Sequence, residues 1–220
     1  PSLDVLQRIA GAVNLTFAEL FADQEVPTSS LDVREVERLL DAPDVRRPEG
    51  LRDRAMLEIA YGSGLRVSEL VGLRIGDLDM DRALLRVTGK GRRQRIVPTS
   101  QTAVERVETY LASARGELLR AATRIRSDAR AALFVSRRGA PLTRQGFWTL
   151  LKKYGRLLGL PDDLHPHTLR HCFASHLLAG GADLRVVQTL LGHADIRTTE
   201  IYTHVELAHL RAEYAKRHPR

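Results

Sequence analysis

From residue 31 onward the apolar positions of the chain recur mostly at intervals of three and four, and in one stretch at intervals of two. "LDVREVERLL" (31–40) places Asp32 to cap a helix, Glu35 to reach back to it, and Leu31 to staple onto Val36. A second helix is predicted around 50–61, broken by Gly62 and Gly64. "GLRVSELVGL" (64–73), apolar at 67, 70, 71 and 73, predicts a short third. The period then shortens. β-prone runs at 83–88 and 94–98 flank Gly89-Lys90-Gly91 and predict a hairpin with Lys90 near its tip. Helical spacing resumes near 100–113, while the Arg- and Ala-rich stretch 114–131 reads as helix or as a solvated insertion. Residues 134–136 read as a short strand, and Thr143 caps a helix running to about Leu158. Helices at 168–179 and 184–191 end at the Gly180-Gly181 and Gly192 breaks, and another starts near Thr198. The sum is a mainly α fold with a small antiparallel β-sheet, an α+β class.

Both ends of the chain stand apart from this pattern. In residues 1–26, Leu3, Leu6, Ile9 and Ala10 fall at helical spacing, and Thr16 is placed to cap a helix over 17–21. The words "PSLDVLQRIAGAVNLTFAELF" resemble the last two helices of a Cro/repressor-type helix-turn-helix domain. The recognition helix of such a domain lies upstream of these two, so the resemblance implies a helical fragment without DNA reading of its own. "VPTSS" (26–30) is a linker. The expected organisation is therefore a fragment at 1–26, a main domain at 27–205 and a tail helix at 206–220. In that tail Val205, Leu207, Leu210 and Tyr214 form an apolar stripe with basic residues beside it.

Composition narrows the class. The 220 residues are 43% hydrophobic and 28% charged, enough for one sizeable core. No apolar run is long enough to span a membrane, and residues 1–26 lack the basic start and apolar core of a signal peptide, so a cytoplasmic location is expected. The single cysteine cannot form an internal disulfide, which agrees with a reducing compartment. A net charge of +7 favours a polyanionic partner, nucleic acid ahead of a membrane surface.

The densest chemistry lies in "HPHTLRHC" (165–172). Three histidines and a cysteine invite a metal reading, but a metal would sit beside the fixed charge of Arg170, and no second cysteine or nearby carboxylate pair completes a ligand shell. A core-helix reading explains Leu169, Cys172, Phe173 and His176 as an apolar stripe and leaves His167 and Arg170, three apart, on another side. An anion cradle at the helix start explains that pair. Arg66, with Glu69 one turn later to hold its guanidinium, offers a second anion donor. Lys90, His193 and Tyr202 add a point charge, a further donor and a hydroxyl. Taken singly, each has an ordinary reading as an ion pair, a turn residue, a helix cap or a core aromatic.

Taken in order, Arg66, Lys90, His167-x-x-Arg170, His193 and Tyr202 resemble the active site of the tyrosine site-specific recombinases. The surrounding words "GSGLRVSEL", "HPHTLRHCFASHLLAGGADLRVVQTLLGH" and "TTEIYTHV" are similar to the Xer branch, which resolves chromosome dimers. The resemblance runs from about residue 28 to 220. It implies the recombinase/integrase catalytic fold and strand cleavage by Tyr202 through a 3′-phosphotyrosyl intermediate, with neither metal nor other cofactor. Arg66, Arg170 and His193 hold the phosphate, His167 is the general base and Lys90 the general acid. Arg92, Arg93, Arg95 and Arg144 are expected to bind DNA. The expected partners are double-stranded DNA, identical or related subunits forming a tetramer on it, and a septal DNA translocase as an activator. Xer proteins carry an N-terminal helical clamp of roughly a hundred residues, where this chain has the repressor-like fragment. The rival readings are a phage or transposon integrase or a relaxing topoisomerase of the same chemistry, and a clamp-less, catalytically weak DNA-binding relic.

Overall fold

The computed structural model describes residues 30–89, 94–192 and 204–219, with the backbone alone at 204–206. The repressor-like stretch, the linker up to Ser29, the hairpin tip with Lys90, Arg92 and Arg93, and the helix start near Thr198 lie outside the described residues, as do His193 and Tyr202.

The chain begins as its local chemistry dictates. In helix α1 (Val33–Asp41), the Asp32 carboxylate accepts from Glu35 N at 2.8 Å and Glu35 reciprocates to Asp32 N at 2.9 Å, while Leu31 and Val36 are both buried. Helix α2 (Pro48–Ser63) opens with proline at its first turn, where no intrahelical N–H is lost. It is buried on nearly every side and forms the axis of the core. Three ionisable side chains within it, Arg52, Asp53 and Glu58, are buried too. Arg52 donates to Asp53 and to the carbonyl of Val135, and the Tyr154 hydroxyl donates to Asp53 at 2.9 Å, so the buried Arg52–Asp53 pair is compensated. The helix runs through Gly62 and stops only at Gly64, whose φ of +55° is left-handed. A Cβ there would sit 2.4 Å from the Phe173 ring, so glycine is required twice over.

Helix α3 (Val67–Gly72) follows at once. The sheet is antiparallel in the order β1 (Leu78–Asp79), β2 (Leu84–Thr88), β3 (Gln94–Pro98). The hairpin strands fall as the sequence predicts; the short β1 is an addition. Leu85 opposite Val97, and Val87 opposite Arg95, define its inner face. Helix α4 (Gln101–Tyr110) continues past the expected end through a π-helical turn (Leu111–Arg115) into α5 (Gly116–Arg120). The segment after it is folded, not a solvated loop. Arg115 donates to the carbonyls of Ala129, Arg130 and Ala132 at 2.7–3.2 Å, tying it down from one guanidinium.

Residues 134–136 do not form the expected strand. Val135 makes only an isolated bridge to Pro141. Backbone bonds from Ser136 N to Ala140 O and from Leu142 N to Phe134 O flank that one bridge. The Val135 N–H goes to the Tyr110 hydroxyl and its carbonyl accepts from Arg52, so side chains close the other edge and no ladder extends there. Helix α6 (Arg144–Leu158) starts where Thr143 caps it. Helix α7 (Pro166–Ala179) starts two residues earlier than predicted, because His165 caps it and Pro166 occupies the first turn. Helices α8 (Leu184–Leu191) and α9 (His204–Arg217) complete the described chain. Leu210 and Tyr214 of α9 are buried against the chain's own core, where the Tyr214 hydroxyl donates to Gly62 O at 2.7 Å. In this structure Leu210 and Tyr214 of the tail's stripe are used in cis. Among the described residues no helix is long and apolar enough to cross a membrane.

Candidate active site

Three segments distant in sequence meet at the end of α8. Arg66 is the N-cap residue of α3, immediately after the turn that Gly64 permits. Arg170 lies in the second turn of α7. The carbonyl of Leu191, the last residue of α8, accepts from Arg170 Nη2 at 2.8 Å and from Arg66 Nη1 at 3.5 Å. Cations at a helix C-terminus complete its unpaired carbonyls and its negative dipole end. The two guanidiniums are therefore brought side by side.

Arg170 is more deeply buried than a helix surface position implies, at 1% exposure. Its Nη1 donates to Gly64 O, while its Nε is buried with no acceptor among the described residues. Burial, then repulsion from Arg66 and Arg95, pulls Arg170 down to about 9 against the attraction of Glu69. The expected division of α7 into an apolar stripe and a polar side fails here. Leu169, Arg170, His171, Cys172 and Phe173 are buried in succession, because α7 runs through the core.

His167 sits beside this pair, half-buried. Burial first, then the charges of His165, Arg170 and Arg66, hold it below the ordinary histidine value. It is neutral where an unperturbed histidine is already titrating. The other members of "HPHTLRHC" are divided among other tasks. His165 caps α7, His171 is pushed down to about 4 by burial and the neighbouring cations, and Cys172 Sγ donates to Leu31 O. Among the described residues no three His, Cys, Asp or Glu side chains group as a metal site requires.

Glu69 has a different principal partner from the one its spacing suggests. Its oxygens accept from Arg95 Nη1 at 2.6 Å and Nη2 at 3.0 Å, whereas Arg66 Nη1 stands 3.6 Å away. The Arg66 backbone N–H completes the set at 2.9 Å. Burial works to raise the Glu69 carboxyl, yet the Arg95 hydrogen bonds and charge, the Arg66 N–H and the charge of Arg170 together hold it below the usual range. Arg95 thus faces into the site, not out along the hairpin. Arg144, by contrast, is exposed at the first turn of α6. The cluster of Arg66, Arg95 and Arg170 against the single carboxylate of Glu69 carries an excess of two positive charges. With Arg95 occupied by Glu69, the planar donors of Arg66 and Arg170 are of the kind that can hold a tetrahedral oxyanion.

The described tyrosines are unsuited to attack. Tyr61, Tyr110, Tyr154 and Tyr214 are all buried and their hydroxyls are hydrogen-bonded to His176, Val135 N, Asp53 and Gly62 O. Burial pushes Tyr110 up to about 12 and raises Tyr154 and Tyr214 well above the ordinary phenol.

A basic oxyanion cradle on a mainly helical frame with one small sheet defines a class. Residues 29–209 match the phage integrase family, and the chain belongs to that family. Among individual proteins it is similar to the tyrosine recombinase XerD of Halalkalibacterium halodurans, 49% identical over 191 residues, or 87% of this chain. The chain spans 62% of the length of that curated relative. Its fold is shared with the crystal structure of XerA recombinase (TM-score 0.66, 30% identity, 90% of this chain and 71% of that one). It is also shared with XerH site-specific recombinase bound to difH substrate in a pre-cleavage complex. There the TM-score is 0.64 and the identity 27%, over 85% of this chain and 53% of that one.

Proposed function

We propose that the chain is the catalytic part of a Xer-type site-specific DNA recombinase, which breaks and rejoins DNA strands in resolving chromosome or plasmid dimers. One observation carries the reading: Arg66 and Arg170 converge on the Leu191 carbonyl with a neutral His167 beside them. Attack on a phosphodiester puts two negative charges on a crowded five-coordinate phosphorus. Two guanidiniums fixed in advance stabilise those charges without reorganising. Loss of one such donor typically raises a barrier by about 3–4 kcal/mol.

In this reading the Tyr202 oxygen forms a bond to phosphorus as the bond from phosphorus to the 5′-oxygen breaks. His167 accepts the phenolic proton, Lys90 gives a proton to the departing 5′-oxygen, and His193 is a further donor to the phosphate. The product is a 3′-phosphotyrosine and a free 5′-hydroxyl, and attack by the 5′-hydroxyl of a partner strand runs the sequence backwards. The phosphotyrosine conserves the bond energy, so no ATP is consumed. The sealed state of the other four tyrosines supports Tyr202 as the nucleophile.

DNA, held in part by Arg92, Arg93 and Arg144, is the proposed substrate. Four subunits on two duplexes are the proposed assembly, in which the α9 tail leaves its own groove and enters a neighbour's. A septal DNA translocase is the activator such a role implies, and the cytoplasm is its place. Incubation with a nicked suicide duplex in excess EDTA tests the reading. The arginines supply the positive charge themselves, so covalent protein–DNA adducts should form at an undiminished rate. Activity abolished by EDTA and restored by zinc or magnesium would contradict it.

A further inference from the structure

The Glu69–Arg95 pair is not needed to hold the hairpin strands together, since the β2–β3 ladder already does that. Its position suggests a different task. The Glu69 side chain is only 2% exposed, and a buried carboxylate must find a cation. Two are within reach. Arg95 takes both oxygens in a fork, while Arg66 is left in a looser contact at 3.6 Å with a third of its side chain open to solvent. Arg95 is fixed from the other side as well. It packs on Gly192, where a Cβ would come within 2.8 Å of its Nε, and that glycine is left-handed at φ +69°.

We propose that Arg95 is a positioning residue that keeps Arg66 available to the phosphate by occupying both oxygens of Glu69. Without it the carboxylate closes the remaining distance to Arg66, forms the fork there, and must be displaced before an oxyanion can bind. Arg95 then acts through Glu69 and not by touching DNA, which reassigns it from the set of DNA contacts. The inference rests on the recombinase reading above, in which Arg66 holds the phosphate.

The test uses the full chain as wild type, Arg95→Gln, Glu69→Gln and the double variant, with thermal melting to confirm folding. Adduct formation on the suicide duplex is measured at saturating DNA, and DNA affinity separately. Arg95→Gln should slow adduct formation by about tenfold to a hundredfold, the range expected when a catalytic group is misplaced. Its DNA affinity should stay within about twofold, since no phosphate contact is removed. The double variant should be faster than Arg95→Gln, because a neutral amide does not compete for Arg66 as a carboxylate does. Calorimetric titration with inorganic phosphate gives the same comparison without chemistry. Its binding should weaken in Arg95→Gln and recover in the double variant. That keeps the inference distinct from the functional reading, which alone fails if the wild type forms no adduct. A double variant as impaired as Arg95→Gln overturns the proposal. So does an Arg95→Gln chain whose defect lies in DNA affinity and disappears at saturation.

Discussion

At the scale of the residue, the proposed role of His167 makes its protonation decide when the site works. In the proposed mechanism its neutral form is the proton acceptor. Burial, His165 and the two arginines favour that form by lowering its pKa from the ordinary 6.5. As pH falls, the disabling proton therefore binds later than on a free histidine. The kcat/KM of adduct formation, which reports the free enzyme, should stay level to below pH 6.5 and only then decline. The residual activity of His167→Gln should lack that acid limb. A limb at or above 6.5, or one that survives the substitution, would assign the titration elsewhere. The motif words made Arg66, His167 and Arg170 legible as candidates, since their residue types and order carry the chemistry. Two features are not legible there. Spacing sets Arg170 apart from the apolar stripe of α7, because periodicity describes one helix and does not show that neighbours enclose it from all sides. Arg95 is expected on DNA with Arg92, Arg93 and Arg144, and in the structure it turns onto Glu69. Its parity agrees with that turn, as it shares a strand face with the buried Val97 and lies opposite the buried Val87.

At the scale of the element, termini fix the site more than interiors do. Arg66 is aimed by the left-handed turn at Gly64, which presses on Phe173 of the same helix that carries Arg170. Gly64→Ala should destabilise the chain by more than about 1 kcal/mol, since a Cβ is strained at that φ and collides with the ring. It should also reduce adduct formation at temperatures where the variant is still folded. Denaturant midpoints and adduct rates measured together check both, and an unchanged midpoint would contradict the role given to this turn. Caps were the most legible feature of the sequence, as the Asp32–Glu35 box and Thr143 demonstrate, because a cap is settled by residues three apart. The lone bridge at Val135 is not legible in sequence because the partners that close its other edge, Arg52 and the Tyr110 hydroxyl, lie 83 and 25 residues away. Gly62 does not end α2, for a related reason. A glycine weakens a helix only modestly, and tertiary burial carried α2 through it.

At the scale of the whole molecule, the proposed assembly on DNA turns on the tail. The α9 helix docks Leu210 and Tyr214 on its own domain, with His218 buried just beyond its end, so in the proposed assembly a neighbour's tail would replace it and not add to it. Deleting residues 206–220 should then lower the melting temperature of the isolated chain and also impair cooperative assembly on a four-way junction. Binding of one subunit should remain. Sedimentation checks this, and a full four-subunit complex from the truncated chain would contradict the assembly proposed. The central claim is narrower: an arginine cradle holds a phosphate for one tyrosine. It is tested most directly by comparing wild type with Tyr202→Phe on the suicide duplex and mapping the DNA-linked peptide by mass spectrometry. The predicted result is an adduct on Tyr202 in the wild type and none in Tyr202→Phe, with DNA affinity unchanged. An adduct that persists in the phenylalanine variant, or one mapped to Tyr61, Tyr110, Tyr154 or Tyr214, would contradict the account.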